Sequence, residues 1–156
     1  MPFRFTGLEP AQFVPLFALS DAELAERGMS RVVADEKPGY PCRVSLEDAE
    51  PGERLILLPF AHQPAHSPYQ ASGPIFIREN AGPAAAVVED ALPAVFAGRL
   101  LSLRAYDARD LIVDAEVVQG DDAMAPIRRL FARDDVSYIH AHNAGRGCYA
   151  CRIDRM

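Results

Sequence analysis

The sequence predicts a single α+β domain, a mostly antiparallel sheet of about six strands with two or three short helices. Three observations carry that prediction. At 156 residues the chain fits one domain, and a domain of this size buries roughly 70% of the surface its unfolded chain exposes. Short alternating or aliphatic runs recur between Gly, Pro and Asp turn signals, and two pairs of them read as hairpins. Helical signals are confined to brief capped stretches. With 49% hydrophobic and 24% charged residues the composition is that of an ordinary globular protein.

Phe3-Arg-Phe-Thr alternates and predicts a short opening strand. Pro10 can begin a helical turn, but Pro15 has no amide hydrogen and forbids a long helix. Ser20-Asp-Ala-Glu23 is a capping box, in which hydroxyl and carboxylate each satisfy the other residue's amide. It predicts a two-turn helix over 21–27, closed by Gly28. Ser30–Ala34 follows as a strand, then a loop with two prolines leads to Cys42-Arg43. Arg54–Phe60 is predicted as a central strand, since four consecutive aliphatics suit burial on both faces.

Ala61–Pro74 has a proline about every third residue and predicts a stiff surface loop, with His62 and His66 exposed on it. Ile75–Arg78 resumes strand, and 81–98 predicts a linker with a short helix near Pro93–Ala97. Leu100–Tyr106 and Leu111–Val118 form a hairpin around Ala108-Arg109-Asp110. Its hydrophobic pattern sets the register and puts Arg104 across from Asp114. Gly120-Asp-Asp starts a helix through about Phe131, capped by Asp121 or Asp122.

The stretch Val136–Asp154 is chemically the densest, with two of the four histidines and two of the three cysteines. It predicts a second hairpin around Ala-Gly-Arg-Gly. If Ala144 pairs with Gly147, His140 and His142 share a face with Tyr149 and Cys151. Asn143 and Cys148 then point the other way. His140-x-His142 and Cys148-x-x-Cys151 offer four zinc ligands. Residues three apart on a regular strand face opposite sides, however, so the two sulfurs diverge. A redox CxxC opens a helix, where the thiol pKa falls; this one lies on a strand. A nucleophilic Cys148 or Cys42 needs a histidine within reach to form thiolate.

Net charge and targeting signals narrow the classes. The formal net charge of −6 is opposite in sign to a nucleic-acid module. No run approaches the roughly 20 apolar residues that span a bilayer, and the first residues lack the pattern of a signal peptide. An odd cysteine count argues against a disulfide framework, so the expected location is the cytoplasm.

Four stretches carry a family resemblance. They are Pro41-Cys-Arg-Val-Ser-Leu-Glu-Asp-Ala-Glu-Pro-Gly-Glu53, Ser67-Pro-Tyr-Gln-Ala-Ser-Gly-Pro-Ile-Phe-Ile-Arg78, Leu101-Ser-Leu-Arg-Ala-Tyr-Asp-Ala108 and His142-Asn-Ala-Gly-Arg-Gly-Cys-Tyr-Ala150. In order and spacing they resemble the bacterial domain-of-unknown-function family 1203. The resemblance implies a stand-alone bacterial domain of this length and carries no activity. The family pattern follows Gly-Cys-Tyr-Ala with another small residue, so Cys151 departs from it.

The polar motif positions give the candidate ligand-binding site: Cys42, Arg43, Tyr69, Arg104, Tyr106, His142, Asn143 and Cys148. The favoured expectation is binding of a small anionic metabolite through Arg and His side chains, with no metal or cofactor assigned. Two alternatives stand beside it. One is a non-catalytic homodimeric interaction module; the other is a zinc-binding protein using His140, His142, Cys148 and Cys151. Whether the protein is an enzyme is left open.

Overall fold

The computed structural model describes all residues, Met1–Met156. Nine strands form two antiparallel sheets: β1 (Phe3–Thr6), β2 (Ser30–Val33), β3 (Arg54–Gln63), β4 (Ala71–Arg78), β5 (Val87–Glu89), β6 (Leu100–Tyr106), β7 (Ile112–Gln119), β8 (Tyr138–Asn143) and β9 (Tyr149–Arg155). The larger sheet has the order β5-β1-β9-β8-β6-β7 and the smaller one β2-β3-β4. Two α-helices, α1 (Asp21–Glu26) and α2 (Met124–Phe131), and four 3₁₀ turns complete the domain. The α+β prediction holds, with more strands than expected and divided between two sheets. No helix is long and apolar enough to cross a membrane.

Local signals fixed several elements. The Ser20 hydroxyl accepts from the Glu23 amide and the Glu23 carboxylate from the Ser20 amide, each at 3.1 Å, so the capping box forms. Gly28 follows with φ +71°, a conformation costly for residues with a Cβ. The helix after Gly120 differs from expectation. A 3₁₀ turn, Gly120–Asp122, precedes α2, and the Asp121 carboxylate accepts from the Gly98 amide at 3.1 Å instead of capping α2.

The six-stranded sheet has two unlike faces. One presents Phe3, Phe5, Leu101, Leu103, Ile139, Ala141, Cys151 and Ile153 to Ile127, Leu130 and Phe131 of α2 and to Phe96, forming the main apolar core. The other face meets the smaller sheet. There Tyr149 packs in a second core with Phe13, Leu24, Ile56, Leu58, Ile75 and Ile77.

Two bulges decide which residues share a face in the larger sheet; the smaller sheet has a third register shift, between Phe60 and Gln63 of β3. In the β6–β7 hairpin the three-residue loop is as predicted: the Asp107 amide donates to the Leu111 carbonyl at 2.9 Å and Tyr106 pairs with Ile112. Ala105 then pairs with Asp114, leaving Val113 as an extra residue. Arg104 therefore faces Ala115, not Asp114, and the expected cross-strand ion pair does not form. A bulge opposes two residues to one, so every pairing beyond it moves by one. Asp114 and Glu116 instead bond arginines from α2 and just beyond it, Asp114 to Arg133 at 3.0 Å and Glu116 to Arg129 at 2.8 Å.

The second bulge lies in the C-terminal hairpin. Ala141 pairs with Cys151 and His142 with Tyr149, so Ala150 is the extra residue. Tyr149 stays on the face of His140 and His142, as expected. Cys151 turns to the opposite face and is buried in the main core, 1% exposed.

Candidate metal centre

Strand alternation on β8 places Tyr138, His140 and His142 on the face toward the smaller sheet. Register adds Ser102 opposite His142, Arg104 opposite His140 and Tyr106 opposite Tyr138. From the other sheet, β3 runs beyond its predicted end, through His62 to Gln63. His62 thus belongs to a strand and is half-buried, whereas the expectation put it on an exposed loop; His66 is exposed as expected. The period-two series Ile56, Leu58, Phe60, His62 was the available signal, masked by Pro64, Pro68 and Pro74.

One ring nitrogen from each of His62, His140 and His142 lies within 4.8 Å of the others, and no cysteine or carboxylate joins the group. The rings are held edge to face, His62 to His142 at 4.9 Å and His62 to His140 at 6.4 Å between centroids. Tyr149 forms the floor, stacked on His62 at 5.5 Å and meeting His140 at 5.2 Å. Tyr106 and Tyr138, stacked at 5.0 Å, wall the side beside His140. The Tyr138 hydroxyl donates to Asp110 at 2.6 Å and accepts from Gln63 at 2.9 Å.

The hydrogen-bond accounting singles this cluster out. Three buried side-chain polar atoms lack a partner: His62 Nδ1, His140 Nδ1 and His142 Nε2. Each such atom carries a desolvation cost of about 1–3 kcal/mol, and all three belong to the rings of this cluster. The His142 Nδ1 lies 2.9 Å from the Gly147 carbonyl. A carbonyl only accepts, so Nδ1 carries the hydrogen and Nε2 keeps its lone pair. Metal-bound histidines are oriented by such a bond.

All three imidazoles are held neutral. Burial pushes His140 down to about 3, helped by His142, Arg152, His62 and Arg104. Burial likewise lowers His142, to about 4, against the raising effect of its Gly147 bond. His62 is lowered by burial and by Arg104. Neutral imidazole is the form that binds metal. Burial also raises Tyr138, to about 12, and raises Tyr149 strongly, so both remain phenols.

The eight candidate residues fall into two groups. Tyr69, Tyr106, Arg104 and His142 surround the histidine cluster; Tyr69 meets Tyr106 edge to face at 6.3 Å. Cys42, Arg43, Asn143 and Cys148 lie at the turn end of the C-terminal hairpin. The Asn143 amide donates to Cys148 Sγ at 3.3 Å. Arg43, 2% exposed, donates from Nε to the Tyr149 carbonyl at 2.7 Å, which links this group to the floor of the cluster. Its segment is held by the Leu8 amide, 2.8 Å from the Arg43 carbonyl. A Cβ at Gly7 would come within 2.2 Å of the Val44 carbonyl oxygen, so that approach requires glycine. The concavity among Cys42, Arg43 and Asn143 is too tight to admit a ligand. Two of the three histidines, His140 and His142, share a face by strand period in the sequence, and His62 was missed.

Fold and site together describe a two-sheet α+β domain with a buried polyhistidine cluster where the sheets meet. Residues 39–155 match the family described as protein of unknown function DUF1203, and the chain belongs to that family. No curated protein and no solved structure matches it.

Proposed function

We propose that this protein binds a divalent transition-metal ion, zinc being the best fit, through His62, His140 and His142. The observation that carries the reading is the convergence of three neutral imidazoles whose buried, unpartnered nitrogens are otherwise unexplained. Imidazole suits zinc, copper, nickel and iron, and three histidines with an open fourth position are a catalytic zinc arrangement. In a tetrahedral centre with bonds near 2.0–2.1 Å the nitrogens sit about 3.3 Å apart. The three ring nitrogens, all within 4.8 Å of one another, are near enough for one ion to be held among them.

This reading keeps the histidine pair of the zinc alternative and exchanges the two cysteines for His62. Burial in the apolar core raises the Cys151 thiol pKa strongly, which disfavours the thiolate that zinc requires. A homodimeric module draws less support, because exposed apolar residues such as Val87 and Val117 sit on opposite edges of the larger sheet. A bound zinc would supply Lewis acidity and an acidified water.

Metal analysis and native mass spectrometry of untagged protein test the proposal. One metal per chain is expected, lost in His62→Ala and His140→Ala variants that remain folded. Apoprotein that takes up no zinc, cobalt or nickel in a chelator competition would end it.

A further inference from the structure

The charges around the cluster do not balance once a metal is present. Its three ligands are neutral, so a divalent ion brings two positive charges into a partly buried site. Arg104 adds a third. It stands directly opposite His140 on the neighbouring strand, and side chains so paired have Cβ atoms about 5 Å apart. The bulge at Val113 removed its expected carboxylate, and Asp114 pairs with Arg133 instead.

Arg104 is half-buried, and its side chain makes one hydrogen bond, a long 3.4 Å one from Nε to the Ser102 hydroxyl. Of the nearby acids, Asp154 pairs with Arg152 at 2.8 Å; Asp110 accepts from the Tyr138 hydroxyl at 2.6 Å and offsets at most one of the three positive charges. Uncompensated charge in a low-dielectric region is costly, so the loaded site needs an anion from outside the chain.

We infer that the fourth coordination position takes an oxyanion, a carboxylate or a phosphate, with one oxygen on the metal and another on the Arg104 guanidinium. This inference rests on the metal reading above. The planar fork of arginine, with two parallel N–H donors, matches both anions. Proximity supports it: the Arg104 charge is felt at His62, His140, His142 and Tyr106 alike. Tyr69, 39% exposed, meets Tyr106 edge to face at 6.3 Å and extends the aromatic wall of the cluster toward solvent.

The test uses full-length protein loaded with cobalt(II), whose visible bands report coordination. Acetate and inorganic phosphate are titrated into wild type, Arg104→Gln and Arg104→Lys. Band shifts that saturate with at least one anion are expected in wild type, and whichever anion binds tighter assigns the ligand as carboxylate or phosphate. Arg104→Gln should take up cobalt at least as tightly as wild type, since a positive charge beside the ion is removed, yet bind the anion roughly 10- to 100-fold more weakly, with Arg104→Lys between the two. Cobalt uptake with bands indifferent to both anions overturns the inference alone, as does an Arg104→Gln variant that binds anion like wild type. Failure to take up cobalt overturns the metal reading and this inference with it.

Discussion

The two faces of the C-terminal hairpin are buried alike and built from opposite chemistry. On one, Ile139, Ala141, Cys151 and Ile153 enter the apolar core against α2; on the other, His140 and His142, 3% and 0% exposed, stand among tyrosines. Burial therefore does not distinguish a site from a core. What differs is satisfaction: the apolar face has no polar demand, while the histidine face leaves one ring nitrogen of His140 and one of His142 unpaired, facing a third on His62 of β3. A fold that only had to be stable would fill those positions with apolar residues, since buried polar groups are costly without partners.

Substitutions that treat the two faces differently can break this comparison. The largest effect belongs to the apolar side. Ile139→Ala should cost about 2–5 kcal/mol in denaturant unfolding, with zinc affinity of the folded fraction unchanged. A loss of metal binding equal to that of a histidine variant would show that the faces are not separable.

On the histidine side the effect should appear in ligation. Removing an outer-shell partner of a metal ligand costs 10- to 100-fold in affinity, so His140→Ala should lose about 100-fold or more in chelator competition. Zinc at 100 times its Kd should stabilise wild type by about 2.7 kcal/mol. A thermal melt of His140→Ala should show no such gain.

Acid should sharpen the contrast. In the metal-free protein His140 and His142 stay neutral in the fold down to about 3 and about 4, whereas in the unfolded chain they protonate near 6.5. The unfolded state then binds more protons below that value. Stability should be level above about pH 6.5 and fall below it by about 1.4 kcal/mol per pH unit for each such histidine. Denaturant midpoints at pH 7.5, 6 and 5 check the sign, and a His140→Phe variant should show a shallower fall. The smallest change lies far from both faces: Ser20→Ala should cost about 1 kcal/mol through its cap and leave zinc binding untouched.

What could be read along the chain was whatever depends on neighbours in sequence. The Ser20–Glu23 box, the opening strand and the three-residue loop before Leu111 all formed as the residues dictate. The shared face of His140 and His142 follows from strand period alone. His62 was out of view because Pro64, Pro68 and Pro74 argued for a loop from Ala61 onward. Pairing with β4, which sets Pro59 against Pro74 and Gln63 against Ala71, carries the strand on to Gln63, just short of Pro64.

The sequence by itself determined the fold class, most of the strands and the residue types gathered at the site. Only the tertiary structure decided that Ala150 and Val113 would be the extra residues of two bulges, that Cys151 would turn inward, and that Arg104 would lose its carboxylate. The reason is physical. A bulge is a mismatch between two strands, and its energy depends on which face each partner must bury. Neither strand carries that information alone, and the meeting of His62 with His140 and His142 depends on how two sheets pack.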